Sequence, residues 1–182
     1  MKNLPEQLFF TVEQKVIKFL STNADKEYTE KEMGDLTEMK RSSVNLALHS
    51  LSEEGIIKKR KIGRTSLYSV GTDHMVIKEL KILQNLLLIY PLIEKLKLES
   101  QKIILFGSSA KGTNTAESDI DLFVQGNNVD RIRGIINSSQ FKDRVQLIVK
   151  TPKEMLAIND QKPLFFQEIE KGKLIWENYG KQ

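Results

Sequence analysis

The first 70 residues carry two successive hydrophobic patterns, one helical and one extended. Apolar residues recur at helical spacing in three segments. These predicted helices cover residues 9–22, 29–37 and 39–55. Thr11 and Thr29 stand at the starts of the first two as suitable N-cap residues, and Gly55 stands where the third should end. Residues 56–70 read as two strands around Gly63. The pattern therefore predicts three helices followed by a β-hairpin.

A long apolar segment follows the hairpin. Residues 73–98 predict a helix, or a pair of helices broken near Pro91 because proline lacks a backbone donor. The segment has more apolar residues than one stripe of a surface helix needs. Two explanations stay open: the segment packs between two domains, or it buries one face against a second subunit. We favour the second, which makes the protein a homodimer.

The remaining residues predict a unit that mixes strands and helices. Residues 103–106 form a short apolar strand, Gly107 permits a sharp turn, and Ser108 and Ser109 can cap a following helix. Further on, we expect a helix at 128–139, a strand at 144–150 and terminal helices that include the segment EIEKGKLIWEN. The predicted fold class is α+β, with a short mixed sheet flanked by helices in this second part.

The composition indicates where the protein is located and says less about its function. The 182 residues have a net charge of +4 and contain no cysteine, which excludes disulfides and thiolate metal sites. The N-terminal residues lack the apolar stretch of a signal peptide. The most apolar segment, residues 83–96, contains Pro91 and Glu94 and is shorter than the roughly 20 residues of a membrane span. We therefore expect a cytoplasmic protein that does not enter a membrane.

Two aspartates stand one residue apart at the head of an apolar run, in the segment ILFGSSAKGTNTAESDIDLFV. In a strand, residues two apart face the same side, so Asp119 and Asp121 share a face while Ile120 packs behind them. Two such carboxylates repel each other unless a cation binds them, and hard oxygen ligands suit Mg²⁺ or Mn²⁺. Backbone N–H groups at the helix start after Gly107 suit phosphate. The sequence thus predicts phosphate- and metal-binding elements side by side.

The N-terminal pattern carries a family resemblance. Its segments KRSSVNLALHSL, LSEEGIIKK and GRTSLYSV, in the order third helix, junction and hairpin, resemble the winged helix-turn-helix domains of bacterial and archaeal transcription regulators. In such domains the third helix lies in the major groove of double-stranded DNA. The resemblance implies that the residues facing DNA are Lys40, Arg41, Ser42, Ser43 and Asn45, and that the residues along phosphates are Lys58, Lys59, Arg60, Lys61 and Arg64. Five basic residues in the seven from 58 to 64 suit phosphates, although a role in protein interaction or dimerisation is the alternative.

A second resemblance covers the two aspartates. The segment from Gly107 to Leu122 resembles the GSxAxG…SDxDL signature of the nucleotidyltransferase superfamily that includes DNA polymerase beta and the kanamycin nucleotidyltransferases. It is most similar to the small prokaryotic members called minimal nucleotidyltransferases. The resemblance implies that the nucleotide-binding residues are Gly107, Ser108 and Ser109, and that the catalytic, Mg²⁺-binding residues are Asp119 and Asp121. A nucleoside monophosphate would pass from a nucleoside triphosphate to an acceptor hydroxyl. Similar proteins often act as antitoxins, so a protein acceptor is one candidate.

One position departs from that superfamily pattern. Active members carry a third carboxylate on the next strand, where this chain has Gln146. An amide has no negative charge and cannot accept a proton as a carboxylate does. Asp143 could substitute only through a strand shift by an odd number of positions, which would turn the apolar face outward.

Two functions therefore stay open. The first is a Mg²⁺-dependent nucleotidyltransferase that the winged helix targets or regulates. The second is a DNA-binding transcription regulator whose nucleotidyltransferase domain binds nucleotide without catalysis. In both, the expected domains are a winged helix-turn-helix at 1–72, a helical linker at 73–99 and a nucleotidyltransferase-like domain at 100–182.

Overall fold

The computed structural model describes residues 7–155 and 163–178. The chain divides into two compact units between Gln84 and Asn85. Within the described ranges the first unit contains three helices and a hairpin, and the second contains a four-stranded mixed sheet with helices. The predicted α+β class is therefore confirmed.

The three helices of the first unit lie where they were predicted, with each end within three residues of the expected position. They are α1 (Val12–Thr22), α2 (Glu30–Thr37) and α3 (Arg41–Glu53). Thr11 and Thr29 cap the first two, each within a capping box. Helix α3 ends in a Schellman motif, in which the N–H of Ile56 donates to the carbonyl of Leu51 (3.0 Å) and Gly55 has a φ of +72°. These ends depend on local hydrogen bonds, so the sequence alone predicts them well.

A β-hairpin follows, formed by β1 (Ile57–Ile62) and β2 (Thr65–Val70). The strands pair antiparallel along their whole length, so only Gly63 and Arg64 form the turn. Gly63 has a φ of +57°, which glycine adopts without strain. The buried core of this unit includes Val16, Leu20, Met33, Val44, Leu48, Ile57, Tyr68 and Ile77.

A single long helix, α4 (Met75–Leu96), comes next. The expectation of a break near Pro91 is wrong, because Pro91 lies inside this helix. An interior proline costs about 3 kcal/mol. Complete burial of one large aliphatic side chain contributes about 1.5–3 kcal/mol, and Leu92 and Leu96 are both buried in the core of the second unit. Packing therefore keeps the helix continuous. No helix in the described residues is both long and apolar enough for a membrane span.

Four strands form the mixed sheet of the second unit. They are β3 (Lys102–Leu105), β4 (Ile120–Gln125), β5 (Val145–Lys150) and β6 (Lys173–Glu177). Their order is β5-β4-β3-β6, and β4–β5 is the parallel pair. Besides the end of α4, the described part of this unit includes the helices α5 (Gly107–Lys111), α6 (Val129–Asn137) and α7 (Pro163–Glu170).

The two faces of the sheet differ. One face carries the larger core, which includes Ile89, Leu92, Ile103, Leu105, Leu122, Val124 and Ile132. The other carries a smaller cluster that contains Phe123 of β4 and Ile169 of α7, and we call it the α7 face. Because side chains alternate along a strand, Asp121 shares the α7 face with Phe123.

Two local predictions for this unit are wrong. The segment KLIWE, expected within terminal helices, is strand β6, because it pairs with the edge of β3 after Gly172 ends the preceding helical stretch. A Cβ atom at Gly172 would lie 2.6 Å from the carbonyl of Leu105, so the chain passes close to β3 here. In addition, Ser108 and Ser109 do not cap α5. They lie inside it, and the N-cap residue is Phe106, which makes no side-chain capping bond.

Candidate functional site

Gly107 and Asp121 are in contact at the end of β3. The N–H of Phe106 donates to the backbone carbonyl of Asp121 (3.0 Å), which extends the β3–β4 pairing to the turn. Gly107 follows with a φ of +65°. A Cβ atom at this glycine would lie 2.1 Å from Oδ2 of Asp121. The turn and the carboxylate can approach this closely only because residue 107 has no side chain.

The two aspartates are electrostatically coupled. Asp119 is exposed just before β4, and Asp121 is half-buried inside it. Burial raises the pKa of Asp121, and the negative charge of Asp119 raises it further. A cation bound by both carboxylates would relieve this repulsion, which is the electrostatic condition of a divalent-metal site.

The described residues place few side-chain metal ligands around this pair. Among residues 7–155 and 163–178, no group of three or more histidine or acidic side chains could hold a metal ion. A cation bound by Asp119 and Asp121 would therefore take its other ligands from water and substrate oxygens, as Mg²⁺ commonly does.

The two serines of the turn differ in access. Ser108 is half-buried, whereas Ser109 is fully buried and its hydroxyl donates to the backbone carbonyl of Asp119 (3.2 Å). The side chain of Ser109 therefore cannot reach a nucleotide. It ties α5 to the residue that precedes β4, and so it helps to fix the position of Asp119.

A buried asparagine also supports the turn. The side-chain amide of Asn85 on α4 donates to the carbonyl of Ser109 (3.0 Å) and to Oδ1 of Asn114 (3.1 Å). These bonds hold α5 and the loop that follows it. Asn85 was not among the residues predicted from the sequence, although an amide side chain within the apolar run LQNLLL was a usable signal.

Gln146 is the direct partner of Asp121 in the parallel β4–β5 pair. Opposed residues on adjacent strands point to the same face, so Gln146 lies on the α7 face with Asp121. Its side chain is exposed. Asp143 precedes β5, and the register runs without a shift from Val145 to Lys150. An uncharged amide therefore occupies the strand position beside the half-buried carboxylate.

The residues predicted to read DNA bases lie on and just before α3. Lys40 is its N-cap residue, and Lys40 and Ser42 are exposed, while Ser43 is half-buried. Arg41 and Asn45 are one helical turn apart. Both bind the side chain of Glu30, which lies at the start of α2.

The residues predicted to lie along phosphates occupy β1 and the turn after it. All five are exposed: Lys58, Lys59, Arg60, Lys61 and Arg64. The ammonium of Lys59 lies 5.6 Å from the centre of the Tyr68 ring. Arg60 binds Glu27 through both Nε and Nη2. Glu27 and Glu30 were not predicted from the sequence, because no local pattern indicates which distant cations they meet.

A comparison with protein families finds a match to the second unit. Residues 89–180 match the family model of the polymerase beta nucleotidyltransferases. This match spans half of the chain, and the chain therefore belongs to that family. No curated protein matches the chain.

Two solved structures are similar to this chain at low identity. One is the crystal structure of "a putative nucleotidyltransferase from Sulfolobus solfataricus", with 19% identity, a TM-score of 0.40, and coverage of 59% of this chain and 94% of that one. The other is hypothetical protein PyrSV_gp04 from Pyrobaculum spherical virus, with 13% identity, a TM-score of 0.30, and coverage of 78% and 72%.

Proposed function

We propose that this protein binds a nucleoside triphosphate with Mg²⁺ or Mn²⁺ and transfers a nucleoside monophosphate to an acceptor hydroxyl. One observation carries the proposal: the backbone of Gly107 lies against the carboxylate of Asp121. Oδ2 of Asp121 lies 2.1 Å from the position that a Cβ atom of residue 107 would occupy. A phosphate chain at this turn would lie beside the two carboxylates. Membership of the nucleotidyltransferase family supports the same reaction class.

The residues present fit a divalent cation. Asp119 and Asp121 would hold it through carboxylate oxygens, and their mutual repulsion favours binding. When bound, such a cation neutralises charge on the triphosphate during transfer. The chain itself contributes the backbone of Gly107 toward the phosphates, and it fixes Asp119 through Ser109.

A second function is favoured by the residue beside Asp121. Gln146 cannot supply the charge or accept the proton that a third carboxylate would. A nucleotidyltransferase domain of this kind could bind a nucleotide without transferring it. The protein would then be a DNA-binding transcription regulator that responds to nucleotide.

Both functions include DNA binding by the first unit, which we propose to be a winged helix-turn-helix domain. The order α1, α2, α3 and hairpin supports this, and so does the exposed basic strand β1. In this proposal α3 enters the major groove and β1 with its turn lies along phosphates. The protein belongs in the cytoplasm, where nucleotides and DNA are available. The homodimer through α4 and a protein acceptor stay predictions.

Label transfer tests the reaction. The purified full-length protein is incubated with labelled ATP, CTP, GTP or UTP, with Mg²⁺ or Mn²⁺, and with host lysate as the source of acceptors. We expect labelled product that depends on the metal ion. Metal-dependent nucleotide binding without label transfer would favour the regulator. If the protein shows no nucleotide binding and no label transfer, both nucleotide functions are excluded.

Replacement of Gly107 by alanine should weaken nucleotide binding and lower the stability of the fold. The φ of +65° costs a non-glycine residue about 1 kcal/mol, and the new Cβ would push against Oδ2 of Asp121. We expect the affinity for nucleotide and metal to fall at least about tenfold, which corresponds to 1.4 kcal/mol. Calorimetric titration of the folded variant measures this loss.

A matched control separates the clash from the backbone strain. Gly63 has a similar φ of +57°, but nothing lies within 4 Å of its added Cβ. Gly63→Ala should lower the melting temperature through backbone strain alone, and therefore by less than Gly107→Ala, and it should leave nucleotide affinity unchanged. If Gly107→Ala binds nucleotide as the parent does, the turn is not the phosphate site.

The salt dependence of DNA binding tests the hairpin. The logarithm of the DNA association constant falls as the logarithm of the salt concentration rises. We expect Lys59→Gln/Arg60→Gln to make this slope shallower by about 0.9 for each lost phosphate contact. The control Lys142→Gln/Lys171→Gln removes the same charge from exposed positions of the second unit and should keep the parental slope. An unchanged slope in the hairpin variant would show that β1 does not contact phosphates.

A further inference from the structure

Glu30 joins two of the residues predicted to read DNA bases. Its Oε1 accepts from Nε of Arg41 (2.9 Å) and from Nη2 of the same guanidinium, and its Oε2 accepts from Nδ2 of Asn45. Arg41 and Asn45 are four residues apart on α3, so both lie on one side of that helix. One carboxylate on α2 therefore holds two side chains of α3.

The position of Glu30 is itself fixed. It is the first residue of α2 and lies within the capping box, in which the N–H of Thr29 donates to Oε2 of Glu32 (2.8 Å). Its bond to Asn45, followed by its bonds to Arg41, lowers the pKa of Glu30, so the carboxylate stays ionised at neutral pH. About a quarter of its side chain is exposed, against 64% for Arg41.

The bonds to Glu30 determine what the helix presents to a ligand. An ionised carboxylate only accepts hydrogen bonds, so the amide of Asn45 must turn its NH₂ group to Glu30 and its Oδ1 elsewhere. Glu30 takes the Nε–Nη2 edge of Arg41. The Nη1–Nη2 edge, which has one N–H on each nitrogen pointing outward, remains for a bidentate acceptor. Arginine with a fixed fork suits guanine, and asparagine with a fixed amide suits adenine.

The same carboxylate carries a negative charge on a surface that would approach phosphates. Charge of this sign weakens the sequence-independent attraction of a basic surface to DNA. Glu30 therefore acts in two ways on selectivity, because it orients base-reading side chains and lowers the affinity for every duplex.

We propose that Glu30 is a positioning residue for sequence readout, which holds Arg41 and Asn45 in the geometry that discriminates between DNA sequences. This inference rests on the proposed DNA-binding function of the first unit. Glu27 provides the contrast, since it binds Arg60 on the hairpin, where the predicted contact is with phosphate.

The test measures discrimination and not affinity alone. Selection from a random-sequence duplex library with the full-length protein gives a preferred duplex. Dissociation constants are then measured at one salt concentration for this duplex and for its shuffled sequence. A correctly held bidentate base contact is worth about 1–3 kcal/mol of discrimination. Discrimination is the dissociation constant of the shuffled duplex divided by that of the preferred duplex. We expect Glu30→Ala to lower this ratio about tenfold, while the affinity for the shuffled duplex rises.

Two further variants separate orientation from charge. Glu30→Gln removes the charge but keeps an oxygen that accepts from Arg41, so the shuffled duplex should bind more tightly while the ratio falls less than in Glu30→Ala. Glu27→Ala should change the affinity for both duplexes by the same factor. The thermal midpoint should stay near the parental value in all three, because the capping box and the core of the unit are retained.

A double-mutant cycle shows whether Glu30 acts through Arg41. The decrease in this ratio in Glu30→Ala/Arg41→Ala should be smaller than the sum of the decreases, expressed as free energies, in the two single variants. An unchanged ratio in Glu30→Ala, or additive losses in the cycle, would overturn the inference while DNA binding stands. If the parent protein binds no duplex at all, the proposed DNA-binding function fails, and the inference fails with it.

Discussion

Replacing Asp119 and Asp121 together by alanine will abolish metal-dependent nucleotide binding and nucleotidyl transfer. The two carboxylates are the acidic pair beside the turn of Gly107, and the described residues offer no larger group of metal ligands. Metal stabilisation of transferring phosphoryl groups is worth several kcal/mol, so we expect a loss of about a thousandfold or more in transfer. Calorimetric titration with nucleotide and Mg²⁺, together with label transfer, measures both effects.

The stability of this variant should move in the opposite direction. Burial and the charge of Asp119 both raise the pKa of Asp121, so the ionised pair destabilises the folded state in the absence of a cation. Without added metal, the variant should therefore melt no lower than the parent. Mg²⁺ should raise the melting temperature of the parent alone.

A control carboxylate lies nearby. Asp143 is exposed and precedes β5, outside the register that pairs Asp121 with Gln146. Asp143→Asn removes one negative charge from the same unit, and we expect parental binding and transfer. Loss of binding in this control would mean that Asp143 supplies a third ligand after all. Metal-dependent binding retained in the double alanine variant would remove the metal site from this position.

Replacing Gln146 by glutamate should raise nucleotidyl transfer about a hundredfold. The change replaces an amide by a carboxylate of the same length, directly opposite Asp121 and on the same α7 face. A positioned general base typically contributes 10²–10⁴-fold, and a third carboxylate also strengthens metal binding. Single-turnover label transfer at saturating nucleotide measures the chemical step.

The new charge also gives a readout that does not depend on activity. Three carboxylates repel one another more than two, so Gln146→Glu should melt at a lower temperature than the parent without metal. Added Mg²⁺ should raise its melting temperature by more than it raises that of the parent. The control Gln146→Met keeps the length of the side chain without charge, and it should show neither effect. A larger Mg²⁺ effect without any transfer would favour the nucleotide-responsive regulator over the enzyme.

The local features of this chain could be predicted because neighbouring residues determine them. Thr11 and Thr29 cap helices through side chains three residues away, and Gly55 and Gly63 adopt a positive φ that other residues avoid. The alternation of Asp119, Ile120 and Asp121 predicted a shared strand face for the two acids. In the structure β4 starts at Ile120, so Asp121 lies in the strand and Asp119 lies just before it.

The errors occurred where distant residues override a local preference. Pro91 predicts a break, yet the buried residues around it keep α4 continuous. The segment KLIWE follows a helical stretch, but the edge of β3 offers unpaired backbone groups and makes it a strand. Serine is a common capping residue, but Ser109 is fully buried and its hydroxyl donates to the backbone carbonyl of Asp119 instead.

The sequence by itself determined the element order as far as β5, the two neighbouring acids, the glycine turn before them and the missing third acid. These depend on spacing and side-chain chemistry, which the order of residues contains. Only the tertiary structure decided that Asp121 lies against Gly107, that Gln146 is its partner on β5, and that Glu30 holds Arg41 and Asn45. Such pairs are far apart in the chain, and strand register and helix packing, which depend on the whole core, bring them together.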